Sequence, residues 1–444
     1  MTQTYKYLHF VKNSTFLLWD IKRYFMTQIV SSHTIVRLGD YIKEEKAKYN
    51  ISDKNKTYGI LGVNNQSGIF DAYEESGAKI KQKYKKMQVG WIAYNPYRIN
   101  VGSIGMRKEE HHYEYISPAY VVFSCKEGLN PEYLFLLMKT ELFNKIIREN
   151  TTGSVRQNLN YSVLSNLQIP LPSLEEQNKI VAAYNTTTAQ ADNLSLQASD
   201  INDQIETYLK EILGIGAQLS SISDGPYRFM RIHQYRDIVN RWDINNIREA
   251  YKGKYPFVNM ADIILKMSTG TTPPTHNKEY FNGDIDFYTP ADINGSMYLA
   301  DAERHISQRA IKDNKARLFH KGDLLFVGIG STVGKVGLVE KETVSSNQQI
   351  TGITFNTQKV LPEYGFAYMH YFKGYTTADQ SKTTLPIVNQ EKIAQIPIPL
   401  PPIAIQNEIV DHISALRAKQ KHLQQQASNL RTQASQQFEQ TIFN

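Results

Sequence analysis

The sequence repeats itself at an interval of about half its length of 444 residues. The tripeptide Pro170-Leu171-Pro172 returns as Pro399-Leu400-Pro401, and Gln177-Asn178 returns as Gln406-Asn407, in both cases 229 residues later. Collinear matches at one offset indicate a duplicated unit, here roughly 230 residues long. Such a chain must fold into two related halves, and two related halves suggest that one molecule performs the same kind of function twice.

Two further matches extend the repeat beyond that segment. Trp19-Asp20-Ile21 returns as Trp242-Asp243-Ile244 after 223 residues. The glycines Gly102 and Gly105 return as Gly334 and Gly337 after 232 residues. Because the offset drifts by only a few residues along the chain, a whole unit is duplicated rather than a single motif.

The composition is that of a globular protein with a mild excess of positive charge. Lys and Arg number 50 against 43 for Asp and Glu, so the net charge of +7 favours an anionic partner only modestly. The 28 tyrosines supply stacking faces and hydroxyl donors that suit polar interfaces. The single cysteine, Cys125, excludes an internal disulfide and a cysteine-cluster metal site. No apolar run reaches the ~18–20 residues of a membrane span, so we expect a cytoplasmic protein.

Each half ends in a long helical pattern. No Gly or Pro occurs from Leu174 to Leu213 or from Ile403 to Asn444. Seam residues recur along both stretches at alternating intervals of four and three, which is the heptad pattern of a coiled coil. Two matched patterns in one chain are natural partners, so the sequence predicts an intramolecular antiparallel coiled coil. The seam consists of Ile180, Tyr184, Thr187, Ala191, Leu194, Ala198, Ile201, Ile205, Tyr208 and Ile212, and of Ile409, Ile413, Leu416, Gln420, Leu423, Ala427, Leu430 and Ala434.

The stretch before each long helix mixes short β-branched and aromatic runs with turn clusters and one helical pattern, which is typical of an α+β head. The predicted fold is therefore two α+β heads joined by two long antiparallel coiled-coil helices, with the two halves related by a pseudo-twofold axis. The predicted boundaries are 1–165 for the first head, 166–218 for the first helical spacer, 219–394 for the second head and 395–444 for the second helical spacer.

Three motifs carry a resemblance to a known family. The first is the repeated Pro-Leu-Pro element that opens each long helix, followed by Gln-Asn-x-Ile-Val. The second and third motifs lie in the second head and are given at the end of this paragraph. A variant of the third motif, the one that contains the glycine pair, runs from Tyr94 to Gly105 in the first head. With the order head, helix, head, helix, the whole chain resembles the specificity subunits of type I restriction–modification systems. The second-head motifs are Gly270-Thr271-Thr272-Pro273 with Tyr280-Phe281, and Asp323-Leu324-Leu325 with Gly334-Lys335-Val336-Gly337.

The resemblance implies a non-catalytic DNA reader. In such subunits each head is a target-recognition domain that binds one half of a bipartite DNA site, and the helices act as spacer and docking rod. The implied partners are double-stranded DNA, two adenine methyltransferase subunits and restriction/translocase subunits. No cofactor is expected in this chain, whereas S-adenosylmethionine, ATP and Mg²⁺ are expected in the partner subunits. Because the two heads differ in sequence, the expected site is asymmetric.

Two motifs suggest catalysis but lack residues that catalysis needs. The run from Gly328 to Lys335 resembles a phosphate loop, but that loop requires four residues between its glycines and Ser or Thr after the lysine, where this chain has Val336. Asn95-Pro96-Tyr97 matches part of an adenine-methyltransferase motif, but one proline is missing and no glycine-rich cofactor loop accompanies it. We therefore expect no catalytic residue and no metal site.

The candidate DNA contacts fall in three places. A row of alternate lysines in the first head would line one face of a strand and follow DNA phosphates, or else would protect a solvated edge strand. Two polar residues before the first glycine pair alternate in the same way and suit guanine and adenine edges. In the second head the candidate contacts are threonine hydroxyls close to a lysine, and the loop that corresponds to the glycine loop of the first head. The candidates are Lys79, Lys81, Lys83, Tyr84, Lys85 and Lys86; Arg98 and Asn100; and Lys266, Thr271, Thr272, Ser331, Thr332 and Lys335.

The repeated element at the start of each long helix is assigned to the scaffold and to partner docking. Its residues are Pro170, Pro172, Gln177 and Asn178, and Pro399, Pro401, Gln406 and Asn407. Two alternatives stay open at this point. The chain could be the specificity subunit of a related methyltransferase or nuclease system outside type I, or a coiled-coil scaffold whose heads bind proteins.

Overall fold

The computed structural model describes residues 26–151, 158–215, 253–373 and 386–443. The chain divides into two compact units, one formed by Met1–Leu194 with Gln425–Asn444 and the other by Ser195–Gln424. Each unit holds one head together with a part of each long helix. The repeated Trp-Asp-Ile tripeptides at Trp19 and Trp242 lie outside the described residues.

The first head is a mixed α+β domain, as predicted. Its helices include α2, which begins at Pro131 because the side chain of Asn130 accepts hydrogen bonds from the backbone nitrogens of Glu132 and Tyr133. The strands are β1 (Ile35–Arg37), β2 (Ile42–Glu44), β3 (Lys48–Tyr49), β4 (Thr57–Asn64), β5 (Gly68–Ser76), β6 (Tyr84–Lys86), β7 (Ile92–Tyr94), β8 (Ile104–Met106), β9 (Tyr115–Ile116), β10 (Val121–Cys125) and β11 (Gln168–Pro170). The helices are α1 (Leu38–Tyr41), α2 (Pro131–Lys139), α3 (Glu141–Asn150) and α4 (Tyr161–Ser165), with a 3-10 turn at Ile99–Val101.

The strands of the first head form two main sheets. One has the order β2-β10-β7-β8 and the other the order β3-β6-β9-β4-β5, while β1 pairs with β11. Strand β4 is parallel to β9 and antiparallel to β5. The larger core packs α2 and α3 against the first sheet and extends to Phe438 and Ile442 at the end of the second long helix.

The first long helix, α5 (Leu174–Leu213), begins and ends at the predicted residues. Its buried positions include Ala191, Ala198, Ile201 and Ile205 of the predicted seam. Near its end the buried positions move by one residue, to 209 and 213, while the predicted seam residues at 208 and 212 are only half-buried. A straight helix has 3.6 residues per turn, so a strict heptad pattern drifts away from the buried face.

The second head repeats the architecture of the first. Its strands are β12 (Phe257–Asn259), β13 (Ile264–Thr269), β14 (Phe281–Tyr288), β15 (His305–Ile306), β16 (Leu318–His320), β17 (Leu324–Val327), β18 (Val336–Leu338), β19 (Thr343–Ser346), β20 (Ile350–Phe355) and β21 (Pro397–Pro399). Its helices are α6 (Gln308–Lys312), α7 (Pro362–Tyr371) and α8 (Gln390–Ala394), with 3-10 turns at Met260–Asp262 and Lys278–Tyr280.

The sheets of the two heads match strand by strand. The order β13-β20-β17-β18 corresponds to β2-β10-β7-β8, and β15-β14-β19-β16 corresponds to β5-β4-β9-β6. The parallel pair β14 and β19 corresponds to the parallel pair β4 and β9. The heads differ at both edges of this second sheet, because the first head adds β3 beyond β6 and has a β5 of 9 residues where β15 has 2. The duplication therefore preserved the framework of the heads and changed their edges.

The second long helix, α9 (Ile403–Phe443), pairs with α5 in antiparallel fashion within each unit. In the first unit Tyr184 packs against Phe438 with 6.1 Å between the ring centroids. In the second unit Tyr208 stacks on His412 at 4.0 Å. Residue numbers rise along one helix as they fall along the other, so the predicted antiparallel coiled coil is confirmed.

One polar seam residue fixes the register of this pairing. Gln420 lies at a seam position of α9, and its Nε2 donates a hydrogen bond of 2.9 Å to the carbonyl oxygen of Ala198 on α5. A polar group at a core position of a coiled coil favours the one alignment in which it finds its partner. Among the described helices, none is both long enough and apolar enough to cross a membrane.

Candidate nucleic-acid interface

The two glycine loops occupy equivalent places in the two heads. One joins β7 to β8 and the other joins β17 to β18. Gly102 and Gly334 each adopt a φ of 85°, in the left-handed region where a side chain would be strained, so both serve tight turns. Gly105 has another role, since a Cβ there would lie 2.2 Å from the backbone nitrogen of Ile69. Its lack of a side chain allows two strands to approach closely.

The loop before Gly102 departs from the predicted geometry. Arg98 and Asn100 were predicted to alternate on one face, but residues 99–101 form a 3-10 turn and Arg98 is the residue before it. With about three residues per turn, positions two apart point in different directions. Arg98 is exposed and Asn100 is half-buried. The prediction of a shared face is therefore wrong, although both residues lie in an accessible loop.

Two exposed apolar residues in the same loop were missed by sequence reasoning. Tyr97 and Val101 are each 55% exposed, so this loop presents two large apolar side chains to solvent. Their neighbour Asn95 holds the loop in place, since its Oδ1 accepts a hydrogen bond of 3.0 Å from the backbone nitrogen of Tyr97. The sequence gives no signal for this exposure, because an apolar residue is ordinarily expected in a core.

The lysine row of the first head is not a strand face. Only Tyr84–Lys86 is a strand, so Lys79, Lys81 and Lys83 lie in the turns before it and the prediction of one continuous lysine face is wrong. The side chains of these three lysines are exposed, and Lys79 lies 3.8 Å from a carboxylate oxygen of Glu75. An exposed cation in a turn still has the charge and reach to contact a phosphate.

The strand part of that row is engaged within the protein. Tyr84 is buried. Lys85 is also buried, and its Nζ donates a hydrogen bond of 2.9 Å to the carbonyl oxygen of Tyr120. Burial lowers the pKa of Lys85 below its ordinary value. Lys86 lies 3.1 Å from Glu114, and the hydrogen bond to this carboxylate raises the pKa of Lys86. Tyr84 and Lys85 are therefore poor candidates for DNA contacts.

In the second head the structure brings two of the predicted groups together. Thr271 donates its backbone N–H to the carbonyl oxygen of Ser346, and the hydroxyl of Thr272 donates to the side chain of Gln348. The next residue, Gln349, accepts a hydrogen bond of 2.8 Å at its backbone oxygen from Gly328. Gly328 opens the loop that carries Ser331, Thr332 and Lys335. Lys266 is exposed on β13, the strand that leads into the threonine turn.

A pocket of about 330 Å³ lies beside these groups in the second head. Its lining includes Thr269, Gln348, Gln349, Asn389 and Gln390. The amide of Gln390 donates a hydrogen bond of 2.8 Å to the hydroxyl of Thr269 and so links α8 to β13. Sequence reasoning missed these amides because they are close only in the folded chain. No cluster of three or more His, Cys, Asp or Glu side chains that could hold a metal ion occurs among the described residues.

The repeated glutamine at the start of α5 joins that helix to the first head. Gln177 is fully buried. Its Oε1 accepts a hydrogen bond of 2.8 Å from the backbone nitrogen of Asn130, and its Nε2 donates to the carbonyl oxygens of Gly128 and Pro172 at 3.0 and 2.9 Å. The carbonyl of Pro170 accepts a further hydrogen bond of 2.8 Å from the hydroxyl of Tyr133.

The same network recurs atom for atom in the second unit. Gln406 is fully buried, accepts from the backbone nitrogen of Leu361 at 2.8 Å, and donates to the carbonyl oxygens of Lys359 and Pro401 at 2.9 and 2.8 Å. The hydroxyl of Tyr364 donates to the carbonyl oxygen of Pro399 at 2.6 Å. Burial makes both glutamines unavailable to a partner subunit, and their observed contacts are those of a scaffold. The adjacent asparagines, at 178 and 407, are exposed.

Comparison with known proteins places this architecture in a family. The family described as "Type I restriction modification DNA specificity domain" matches residues 33–206 and 255–430, one match in each half of the chain. The two matches cover both heads and most of both long helices. They include the repeated proline and glutamine element in each half.

Two relatives and one solved structure agree with this match. The type I restriction enzyme MjaIX specificity subunit of Methanocaldococcus jannaschii is 28% identical over 187 residues, which cover 39% of this chain and 41% of that protein. The type I restriction enzyme EcoDI specificity subunit of Escherichia coli is 21% identical over 345 residues, or 74% and 71% of the two chains. A solved structure concerned with complex assembly and conformational transition of the type I R-M system superimposes with a TM-score of 0.56 at 16% identity, covering 94% of this chain and 98% of that one. The structural likeness supports the fold.

Proposed function

The chain belongs to the type I restriction–modification DNA specificity family, and from this premise we propose that it reads an asymmetric two-part DNA sequence, one part with each head. The observation that carries the proposal is the pair of heads with matching sheets and with connecting loops of different length, such as residues 65–67 in the first head and 289–304 in the second. Matching frameworks allow both heads to approach duplex DNA in the same manner, whereas different loops present different groups to the base edges. The paired helices α5 and α9 would act as the spacer between the two half-sites.

The proposed partners supply the chemistry. Two adenine methyltransferase subunits would dock on this chain and use S-adenosylmethionine, and restriction/translocase subunits would use ATP and Mg²⁺. The role of this chain is recognition and assembly, without catalysis of its own. The exposed Asn178 and Asn407, at equivalent places at the start of the two long helices, are the residues of the repeated element that a partner could contact.

The proposal is tested by selecting bound sequences from a pool of random duplexes with the full chain and its co-expressed methyltransferase. We expect enrichment of one asymmetric motif in two parts, separated by a stretch in which any base is accepted. Mapping of methylated adenines in the expressing cells should return the same motif. Enrichment of a single continuous motif, or of none, would contradict the two-head proposal.

We also expect DNA binding to weaken strongly with salt. Lysines and arginines that neutralise phosphates release counterions on binding, so the logarithm of the affinity falls with a slope of about −0.9 per phosphate. About four such contacts would lower the affinity roughly 100-fold between 50 and 200 mM salt. The measurement is fluorescence anisotropy on the selected duplex, with an unrelated duplex as control. An affinity that stays constant over this range would exclude phosphate contacts as a main source of binding.

A further inference from the structure

The first head carries a second loop beside the glycine loop, at the turn between β4 and β5. Asn65 lies in this turn, and its Cβ is 3.8 Å from the position that a Cβ on Gly102 would occupy. The hydroxyl of Ser103 donates a hydrogen bond of 3.2 Å to the carbonyl oxygen of Val63, which connects the two loops at their bases. The two loops therefore form one continuous surface.

This composite surface combines amide, hydroxyl, cationic and apolar groups. The six side chains of the composite surface, named at the end of this paragraph, are all exposed. The segments that supply them, residues 64–68 and 95–103, contain no Asp or Glu and one Arg, so their charge suits a polyanion. The surface consists of Asn65, Gln66, Ser67, Tyr97, Arg98 and Val101.

The backbone under the composite surface is held by its own hydrogen bonds. The side chain of Asn64 accepts from the backbone nitrogens of Gln66 at 2.9 Å and Ser67 at 2.6 Å. Asn95 holds the neighbouring loop in the same way. Because Asn64 and Asn95 fix the loops, the exposed side chains are presented on ordered backbone, which reduces the entropy lost when a ligand binds.

We propose that the composite surface reads base edges in the half-site taken by the first head, and that Asn65 and Gln66 select adenine. This inference rests on the proposed function. An amide side chain pairs with both N6 and N7 of adenine in the major groove, and an apolar group fits the methyl of the paired thymine. The composite surface offers both kinds of group side by side, so it matches an A·T pair on both strands.

The equivalent loop of the second head lacks these groups. Gly330 stands in the place of Arg98, and Val333 in the place of Val101 is only 4% exposed. In that head the strand corresponding to β4 is followed by a longer loop, residues 289–304, before β15. A change in the composite surface should therefore affect one half of the recognised site and leave the other half unchanged.

The test is the selection from random duplexes, with the full chain assembled with its methyltransferase. For the double variant Asn65→Ala with Gln66→Ala, we expect the preference for A·T at one or two adjacent positions of one half-site to fall roughly 10- to 100-fold. The matched control is Asn55→Ala, an exposed asparagine in the turn at the opposite end of β4, about 25 Å away along the strand. Its motif should equal that of the wild type.

The outcomes separate this inference from the proposed function. If the wild type enriches no two-part motif, the proposed function is wrong. If the wild type enriches one and the double variant enriches the same one, the composite surface does not read bases and the inference is overturned. If the alanine variant binds no sequence at all, the same selection is carried out with the isosteric double variant Asn65→Asp with Gln66→Glu. A shift from adenine toward cytosine at the same positions supports the inference, since carboxylates accept from cytosine N4, and an unchanged motif overturns it.

Discussion

Replacing Gln406 with leucine is expected to lower the free energy of unfolding of the second unit by about 3–5 kcal/mol. The substitution removes an amide that is fully buried and makes three hydrogen bonds, to Leu361, Lys359 and Pro401. The backbone nitrogen of Leu361 and the carbonyl oxygens of Lys359 and Pro401 then lose their partner, and each group left unsatisfied away from water costs about 1–3 kcal/mol, which the added apolar surface of leucine offsets only in part. Gln177→Leu should destabilise the first unit by a similar amount.

Urea denaturation of the full chain, combined with hydrogen exchange around Leu361, would measure this effect. The matched control is Asn407→Leu, the same kind of substitution at the next position, where the side chain is exposed. Its effect should stay within about 0.5 kcal/mol, as for most surface substitutions. Equal stabilities of the Gln406→Leu and Asn407→Leu variants would show that the buried amide does not hold the helix on its head.

The glutamine networks explain why the repeat is easy to detect at some positions and not at others. Both glutamines bind backbone atoms, so the residues that provide those atoms are free to differ. Asn130 in one half corresponds to Leu361 in the other, and Gly128 corresponds to Lys359, yet the hydrogen bonds are the same. Sequence identity therefore survives where a side chain makes the contact and is lost where only the backbone does.

The elements predicted well are those whose signal is local. The helix Leu174–Leu213 has uninterrupted helical residues, a proline before it and a glycine after it, and its bounds matched the prediction. The seam of α9 was also confirmed, from Ile409 to Ala434, because burial along a helix follows a fixed period. The α+β character of each head follows from runs and turns that are likewise visible in the sequence.

The candidate site was predicted less well because its residues meet through tertiary contacts. Lysine spacing suggested a strand face, but the turn before β6 and the carbonyl of Tyr120 decide where Lys85 lies. The proximity of Asn65 to Gly102, across 37 positions of the sequence, depends on how two hairpins pack. In the second head, Thr272 meets Gln348 for the same reason. Single-sequence patterns carry no information about such pairs.

Removing one heptad from each long helix is expected to change the geometry of the recognised site and not its bases. Deleting 187–193 from α5 and 427–433 from α9 removes matched segments, including both members of the ion pair between Asp192 and Arg431. Seven residues span about 10.5 Å of helix, which corresponds to roughly three base pairs of duplex at 3.4 Å each. We expect the unread spacer to shorten by about three base pairs, with both half-site sequences unchanged. Affinity for the original site should fall at least about 100-fold, because the two heads can no longer engage it together.

A deletion in α5 alone separates a change of spacing from a loss of stability. It leaves Arg431 without Asp192 and shifts one seam against the other, so that the Gln420–Ala198 and Tyr184–Phe438 contacts can no longer form together. This variant should unfold at a lower urea concentration, whereas the paired deletion keeps whole heptads in contact and should retain most of its stability. Selection from random duplexes then shows whether the paired deletion changes the spacing of the recognised site or only lowers the stability of the protein. A paired deletion that alters the half-site bases, or that leaves the spacer length unchanged, would mean that the helices do not set the spacing, and the heads would then have to define it by themselves.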